Sequence, residues 1–247
     1  MSTTRLIAAP EPTHRKHAGP ARSNDRMNVS SCLRIAALLA AFALAGCVET
    51  RFESPIGDNI ETCDARWKGL WIGADDAARK DGKDASAFYV NDDCQFIVLD
   101  QPEKSGALKQ VHVPINYVHA DGKDYIVVAD TAVKSLVDLK APHGIDPAPE
   151  KSFFFARYRI RGERMDLYKV DSARTAGLVV EGKVGGTVDK TQNELHVYVS
   201  GSRAQMLDLV RAHEIFDEKD PIKLVRSRQT VDEFQRSLLG AAAQDRR

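Results

Sequence analysis

The sequence has no surplus of either charge: 35 Lys and Arg stand against 35 Asp and Glu. Residues 1–46 hold six of the basic and two of the acidic residues, so the remainder carries 29 against 33 and is mildly acidic. Binding nucleic acid requires a surplus of Lys and Arg on one surface to neutralise phosphates, so that class of function is set aside. A long hydrophobic run is also missing: the apolar stretch Ile35–Leu44 reaches half of the roughly 20 residues that a membrane-spanning helix needs. Three chemical signatures are absent as well. There is no HExxH for zinc, no GxSxG for a serine nucleophile, and no GK[ST] ending to Gly182-Lys-Val-Gly185-Gly186 that would make it a phosphate loop. No cofactor is expected.

What is present begins with an address. From Met27 the chain reads MNVSSCLR, then IAALLAAFAL, then AGC: a short segment with Arg34, an apolar core and small residues at a cut site. Residues 27–46 are therefore predicted to be a cleavable signal peptide. Leu44-Ala45-Gly46-Cys47 resembles the lipobox of bacterial lipoproteins. The resemblance implies a diacylglyceryl thioether on Cys47, cleavage before it and acylation of the new amine, so the membrane is the first expected partner. In that family Asp directly after the cysteine favours inner-membrane retention. Here Val48 follows, which implies the outer membrane, facing the periplasm. Residues 1–26 are polar, contain Pro10, Pro12 and Pro20, and show no apolar period, so they are expected to be disordered or a start assigned too early.

About 200 residues remain, enough for one domain. Hydrophobic residues at 43% and charged residues at 28% match an ordinary folding chain. Residues 47–65, with Pro55 and Gly57 and no period, read as the lipidated N-terminus and a tether. Residues 66–228 read as a β-rich domain and 229–247 as a short helix with a tail. Short strands are expected at 68–72, 87–90 and 94–99, with one apolar-alternating strand over 111–117. Pro114 places that last strand at an edge or a bulge. Asp121-Gly122 is a favoured two-residue turn that sets Tyr117 opposite Ile126 and His119 opposite Asp124. Gly162-Glu163 sets Ile160 against Met165, Tyr158 against Leu167 and Arg159 against Asp166. Ser202-x-x-Gln205 is a capping box before an amphipathic helix over 203–213, and Val231, Phe234 and Leu238 mark another helix. The predicted class is mainly β (α+β): an antiparallel meander closed as a barrel or folded as a sandwich, with one to three short helices.

Gly69-Leu70-Trp71 in the first expected strand resembles the Gly-x-Trp motif of lipocalins. The resemblance implies a β-barrel in which Gly69 relieves crowding and Trp71 closes the base, and it makes both candidates for an apolar ligand site or its core. Of the four cysteines, Cys32 would leave with the signal peptide and Cys47 would be consumed by lipid. Cys63 and Cys94 remain, and in an oxidising compartment they are expected to form a disulfide. A metal site is the weaker alternative, since neither has a CxxC or a nearby His. Arg157, Arg159 and Arg161 fall on one strand face at period two and could form an anion patch, against the plainer reading of a solvated face neutralised by Asp166. Asp75-Asp76 and Asp92-Asp93 lack the spacing of a calcium loop. The five histidines after Cys47 are scattered along the chain. The functional expectation is a non-catalytic envelope lipoprotein that binds a protein partner or a small apolar ligand; the alternative is an envelope hydrolase with a site assembled from distant residues.

Overall fold

The computed structural model describes residues 48–78, 87–100, 109–134, 139 and 141–244. Cys47 and the predicted signal peptide lie outside these residues. The elements run β1 (Val48–Phe52), a 3-10 turn at Ala65–Trp67, β2 (Gly69–Gly73), α1 (Ala74–Ala78), β3 (Ala87–Val90), β4 (Phe96–Asp100), β5 (Lys109–His112), β6 (Asn116–Ala120) and β7 (Lys123–Ala129). There follow α2 (Asp130–Val133), β8 (Phe153–Arg161), β9 (Arg164–Lys169), α3 (Ser172–Val180), β10 (Gly186–Lys190), β11 (Leu195–Val199), α4 (Arg203–Ala212), β12 (Ile222–Ser227) and α5 (Val231–Gln244).

The fold is a mixed α+β arrangement: one large, mostly antiparallel sheet with several short helices, of sandwich type. Its main path is β10-β11-β1-β8-β9-β12-β2-β3-β4-β5, with β7 on the other side of β8 and β6 beyond it. The one parallel pair joins β1 to β11, from Val48 with Leu195 to Phe52 with Val199. Three apolar clusters hold the layers together. The sheet curls round the first, which takes Trp67, Trp71, Phe88, Tyr117, Phe154 and Tyr158 among others. The second lies between the opposite face of β1, β7, β8 and β11 and the helices α3 and α4. In the third, Phe234 and Leu238 of α5 cover the outer face of β2, β3 and β4.

Of the two expected forms the sandwich holds and the barrel is corrected: among the described residues the sheet does not close. The cause lies partly at Pro114, which has no N–H for a ladder. The single strand expected over 111–117 is broken there into β5 and β6. Val113 N–H still reaches Phe96 O at 2.9 Å, but β6 then pairs with β7 along its length and with Glu61 at Tyr117, not with β4. The sheet also branches at β8, whose one edge is taken by β7 and whose other edge is divided between β1 at Phe153 and β9 from Ala156 onward. No described helix is long and apolar enough to cross a membrane.

The expected tether is also different where the structure describes it. Residues 48–52 form a strand inside the sheet, and Thr50, Arg51 and Phe52 are buried. Polar residues can occupy such a strand because each finds a partner. Thr50 Oγ1 hydrogen-bonds Ser172 Oγ at 2.8 Å, and Arg51 reaches Glu49 at 3.1 Å and Asp130 at 3.8 Å.

The hairpin registers are those expected: Tyr117 with Ile126, His119 with Asp124, Tyr158 with Leu167 and Arg159 with Asp166. Ser202 and Gln205 form the full capping box of α4.

Candidate functional site

The densest polar constellation lies beside the 3-10 turn that leads into β2. Asp64 starts it: its side chain accepts from Arg66 N–H at 2.9 Å, satisfying a donor that the short turn leaves free. The same buried carboxylate accepts from the Arg66 guanidinium, with Nη2 at 2.7 Å, and from the Tyr158 hydroxyl at 2.6 Å. Arg66 then reaches across to Asp124 of β7 at 2.9 Å. His119 Nδ1 of β6 lies 2.7 Å from the other oxygen of Asp124, and its Nε2 lies 3.9 Å from Glu61. Strand pairing explains the meeting, because β6 with β7 aligns His119 with Asp124, and β7 with β8 aligns Asp124 with Tyr158.

The electrostatics follow from these contacts. Burial works against the charge on Asp64, but the hydrogen bonds from Arg66 and Tyr158 outweigh it and hold the carboxyl below its usual range. The bond to Asp64, then that to Asp124, raise the Arg66 guanidinium above its ordinary value. Burial, with the bond to Asp64 second, pushes the Tyr158 hydroxyl up, and burial does the same to Tyr117. Arg66 and Glu61 keep nearly half of their side-chain surface open to solvent, so the network ends in an exposed polar rim. Both nitrogens of His119 are turned to carboxylates rather than to a hydroxyl or thiol. Such an arrangement can orient and recognise polar groups. Among the described residues, no three His, Cys, Asp or Glu side chains gather as a metal site.

Cys63 and Cys94 are bonded to each other, with Cα atoms 5.3 Å apart, and the bridge ties the segment leading into Asp64 to the turn between β3 and β4. Trp71 is fully buried and its indole N–H donates to Trp67 O at 2.7 Å. Gly69 has φ +108°, a conformation that L side chains rarely adopt, and the Arg226 side chain lies over it, where a Cβ would meet it at an ordinary contact distance of 3.4–3.6 Å. Arg226, on β12, thereby reaches the face of Trp71 at 4.5 Å and donates to the carbonyls of Lys68 and Arg66, the latter at 2.8 Å. Glycine, tryptophan and arginine form one lock between β2 and β12.

The three arginines of β8 part company. Arg157 is 9% exposed, bound to Glu214 at 2.8 Å and Glu218 at 2.5 Å, with the rings of Tyr168 and Phe216 at 4.7 and 5.7 Å. Arg159 pairs with Asp166 at 3.2 Å and Tyr168 Oη at 2.5 Å. Arg161 is exposed at the strand end, facing Arg164. The structure thus gives the charge of Arg157 to acids following α4 rather than to an open patch. Of the acidic pairs, Asp75 and Asp76 sit in the first turn of α1, and Asp92 lies 4.0 Å from Lys68.

Two groupings were not foreseen as such. One is the Asp64 network, of which the hairpin gave His119 with Asp124 but not the link through Arg66 to Asp64 and Tyr158. The other is His143 and His196, whose rings stack at 4.7 Å. His143 Nδ1 lies 2.6 Å from Asp189, and His196 lies 3.4 Å from Glu49 and 3.6 Å from Glu194. A half-open cleft of about 220 Å³ lies between α4 and the segment after α3, lined by Lys183, Ser200, Gln205, Asp208 and His213 among others.

Comparison of the chain with protein-family models, with curated proteins and with solved structures finds no match.

Proposed function

We propose that this chain is a lipid-anchored protein of the bacterial envelope, held by Cys47 and facing the periplasm from the outer membrane, whose β-rich domain binds a protein partner without catalysis. The observation that carries the non-catalytic part is the mutual engagement of the site's ionisable groups. Asp64, Arg66, Asp124, His119 and Tyr158 are held by one another, which suits fixed recognition better than proton transfer to a substrate. A protein partner is favoured over a small apolar ligand because aromatic side chains from the 3-10 turn, β3, β4, β6 and β8 meet inside the curl. The recognition surface is then the outer polar rim at Glu61, Arg66 and His119.

The hydrolase reading keeps one specific support: His119 oriented by Asp124 at 2.7 Å is the base half of a catalytic pair. The test has two parts. Cys47→Ser is expected to leave unprocessed precursor that takes up no labelled fatty acid; normal maturation of that variant would refute the anchor. The purified domain is expected to show no turnover on ester, amide, glycoside and phosphate substrates. Turnover lost in His119→Ala would install the hydrolase instead.

A further inference from the structure

We infer that the end of the sheet where β1 begins rests on the phospholipid headgroup layer, so that the domain is seated on the bilayer rather than suspended from it. The inference rests on the proposed lipid at Cys47 and adds what the fold does to it. Val48, the residue that follows, is already in register with Leu195. Consecutive Cα atoms are about 3.8 Å apart, and paired strands about 4.8 Å. The headgroup region on one side of a bilayer is several Å thick: roughly half the difference between a core of about 30 Å and a total of about 40–45 Å. A thioether-linked glyceride at the ester level therefore leaves no length of chain with which to lift the start of β1 clear of the headgroups.

The topology decides what comes down with Val48. β11 runs parallel to β1, and β10 antiparallel to β11, so Leu195 and Lys190 lie at the same end, joined by the turn at 191–194. This end is open. Val48 is half exposed, Lys190 is exposed, and so are Thr191, Gln192 and Asn193. The other end of the same strands carries the opposite set: Glu53 accepts from Gly201 N–H at 2.6 Å where β11 gives way to α4, so the first turn of α4 points away from the anchored end. A five-residue strand spans about 17 Å, which separates the two ends by more than the headgroup layer. The exposed polar turn and Lys190 suit headgroup phosphates and amines, not the acyl core.

The test uses the mature, lipidated full chain in vesicles of phosphatidylethanolamine and phosphatidylglycerol. Single cysteines are introduced as Gln192→Cys in the near turn and Ala204→Cys on the exposed first turn of α4, each labelled with an environment-sensitive fluorophore. A lipid carrying a nitroxide on its headgroup is expected to quench the label at 192 strongly and that at 204 little. Inserting ten Gly and Ser residues between Cys47 and Val48, a mean reach of roughly 17 Å, is expected to weaken quenching at 192 at least about threefold. Equal quenching at both sites, or no response to the insertion, overturns the seating. Intact-mass measurement separates the two failures: a chain without diacylglycerol defeats the anchor, and with it the seating, whereas a lipidated chain that is unquenched at 192 defeats only the seating.

Discussion

The two regions beside Phe154 and Tyr158, towards opposite ends of β8, each bury a charge, and they bury opposite ones. On the side of β1, the cation Arg51 is enclosed by Glu49, Asp130 and the ring of Phe154 at 5.4 Å. Towards β2, the anion Asp64 is enclosed by Arg66 and Tyr158. The difference lies in their partners. Those of Arg51 are more enclosed, Asp130 at 4% and Glu49 at 14% side-chain exposure beside its own 3%, whereas Arg66 is 46% exposed. Losing Arg51 leaves the carboxylate of Asp130 away from water without its cation, while losing Asp64 strands a hydroxyl and releases a guanidinium that water can receive. Two buried charges of similar appearance should therefore differ in what their removal costs.

The sharpest test of that difference is Arg51→Met, which is expected to cost about 3–5 kcal/mol, since the buried carboxylate of Asp130 loses its cation and keeps the Ser152 hydroxyl at 3.0 Å as its side-chain partner. A denaturant midpoint close to that of the parent would overturn the account. Next in size is the loss of the bridge. Replacing both Cys63 and Cys94 with Ser opens a loop of 31 residues and should cost about 3–4 kcal/mol by the chain-entropy estimate. It should also loosen the Asp64 side more than the Arg51 side, as site-resolved hydrogen exchange would show.

Asp64→Asn should cost less, about 2–3 kcal/mol at neutral pH, through weakened charge-assisted hydrogen bonds. Its pH dependence has a definite sign. The carboxyl is held below the ordinary value of 3.8, so its contribution is complete above that value and is lost as pH falls through the depressed one. Parent and variant should thus converge on acidification below about pH 3.8 and stay apart above it; a gap that widens in acid would contradict the assignment. Tyr158 acts in the other direction. Its hydroxyl is raised above the ordinary value of 10.0, so its stabilisation is present below pH 10 and lost above, and Tyr158→Phe should flatten that alkaline decline. The smallest effect belongs to the exposed pair: Arg159→Ala should change stability by under about 0.5 kcal/mol. A loss as large as that of Asp64→Asn would mean that exposure is a poor guide to the cost of removing a charge here.

What could be read in the sequence was what is local. The alternation in Tyr158, Ile160, Met165 and Leu167 fixes one face and one turn, so the register follows from adjacent residues. The capping box is local too. β1 was illegible for the opposite reason: Glu49, Thr50 and Arg51 are polar, and the groups that make them tolerable, Ser172, His196 and Asp130, come from far along the chain. Arg157 was misread in the same way, since Glu214 and Glu218 reach it from beyond α4. Gly69 and Trp71 could be seen as a motif, but Arg226, which completes the lock, lies on the last strand. The succession of strands left barrel and sandwich both open, since it carries nothing about the break at Pro114 or the divided edge of β8, and the lipocalin resemblance of Gly69-Leu70-Trp71 implied the wrong one. Within the candidate site, His119 beside Asp124 was given by the hairpin. The link onward through Arg66 to Asp64 required knowledge of which strand stands beside β7.

The parallel pairing of β1 with β11 also bears on the order of events during folding. The first strand to emerge has its ladder partner 147 residues later, at Leu195 opposite Val48. Closing a loop of that length costs about 4 kcal/mol in the logarithmic term alone, whereas a two-residue hairpin turn closes almost locally. The hairpins β6–β7 and β8–β9 can thus assemble while β1 still waits as an unpaired edge, open to any other strand that it meets. On the proposed anchoring at Cys47, the end to be fastened first is the end to fold last.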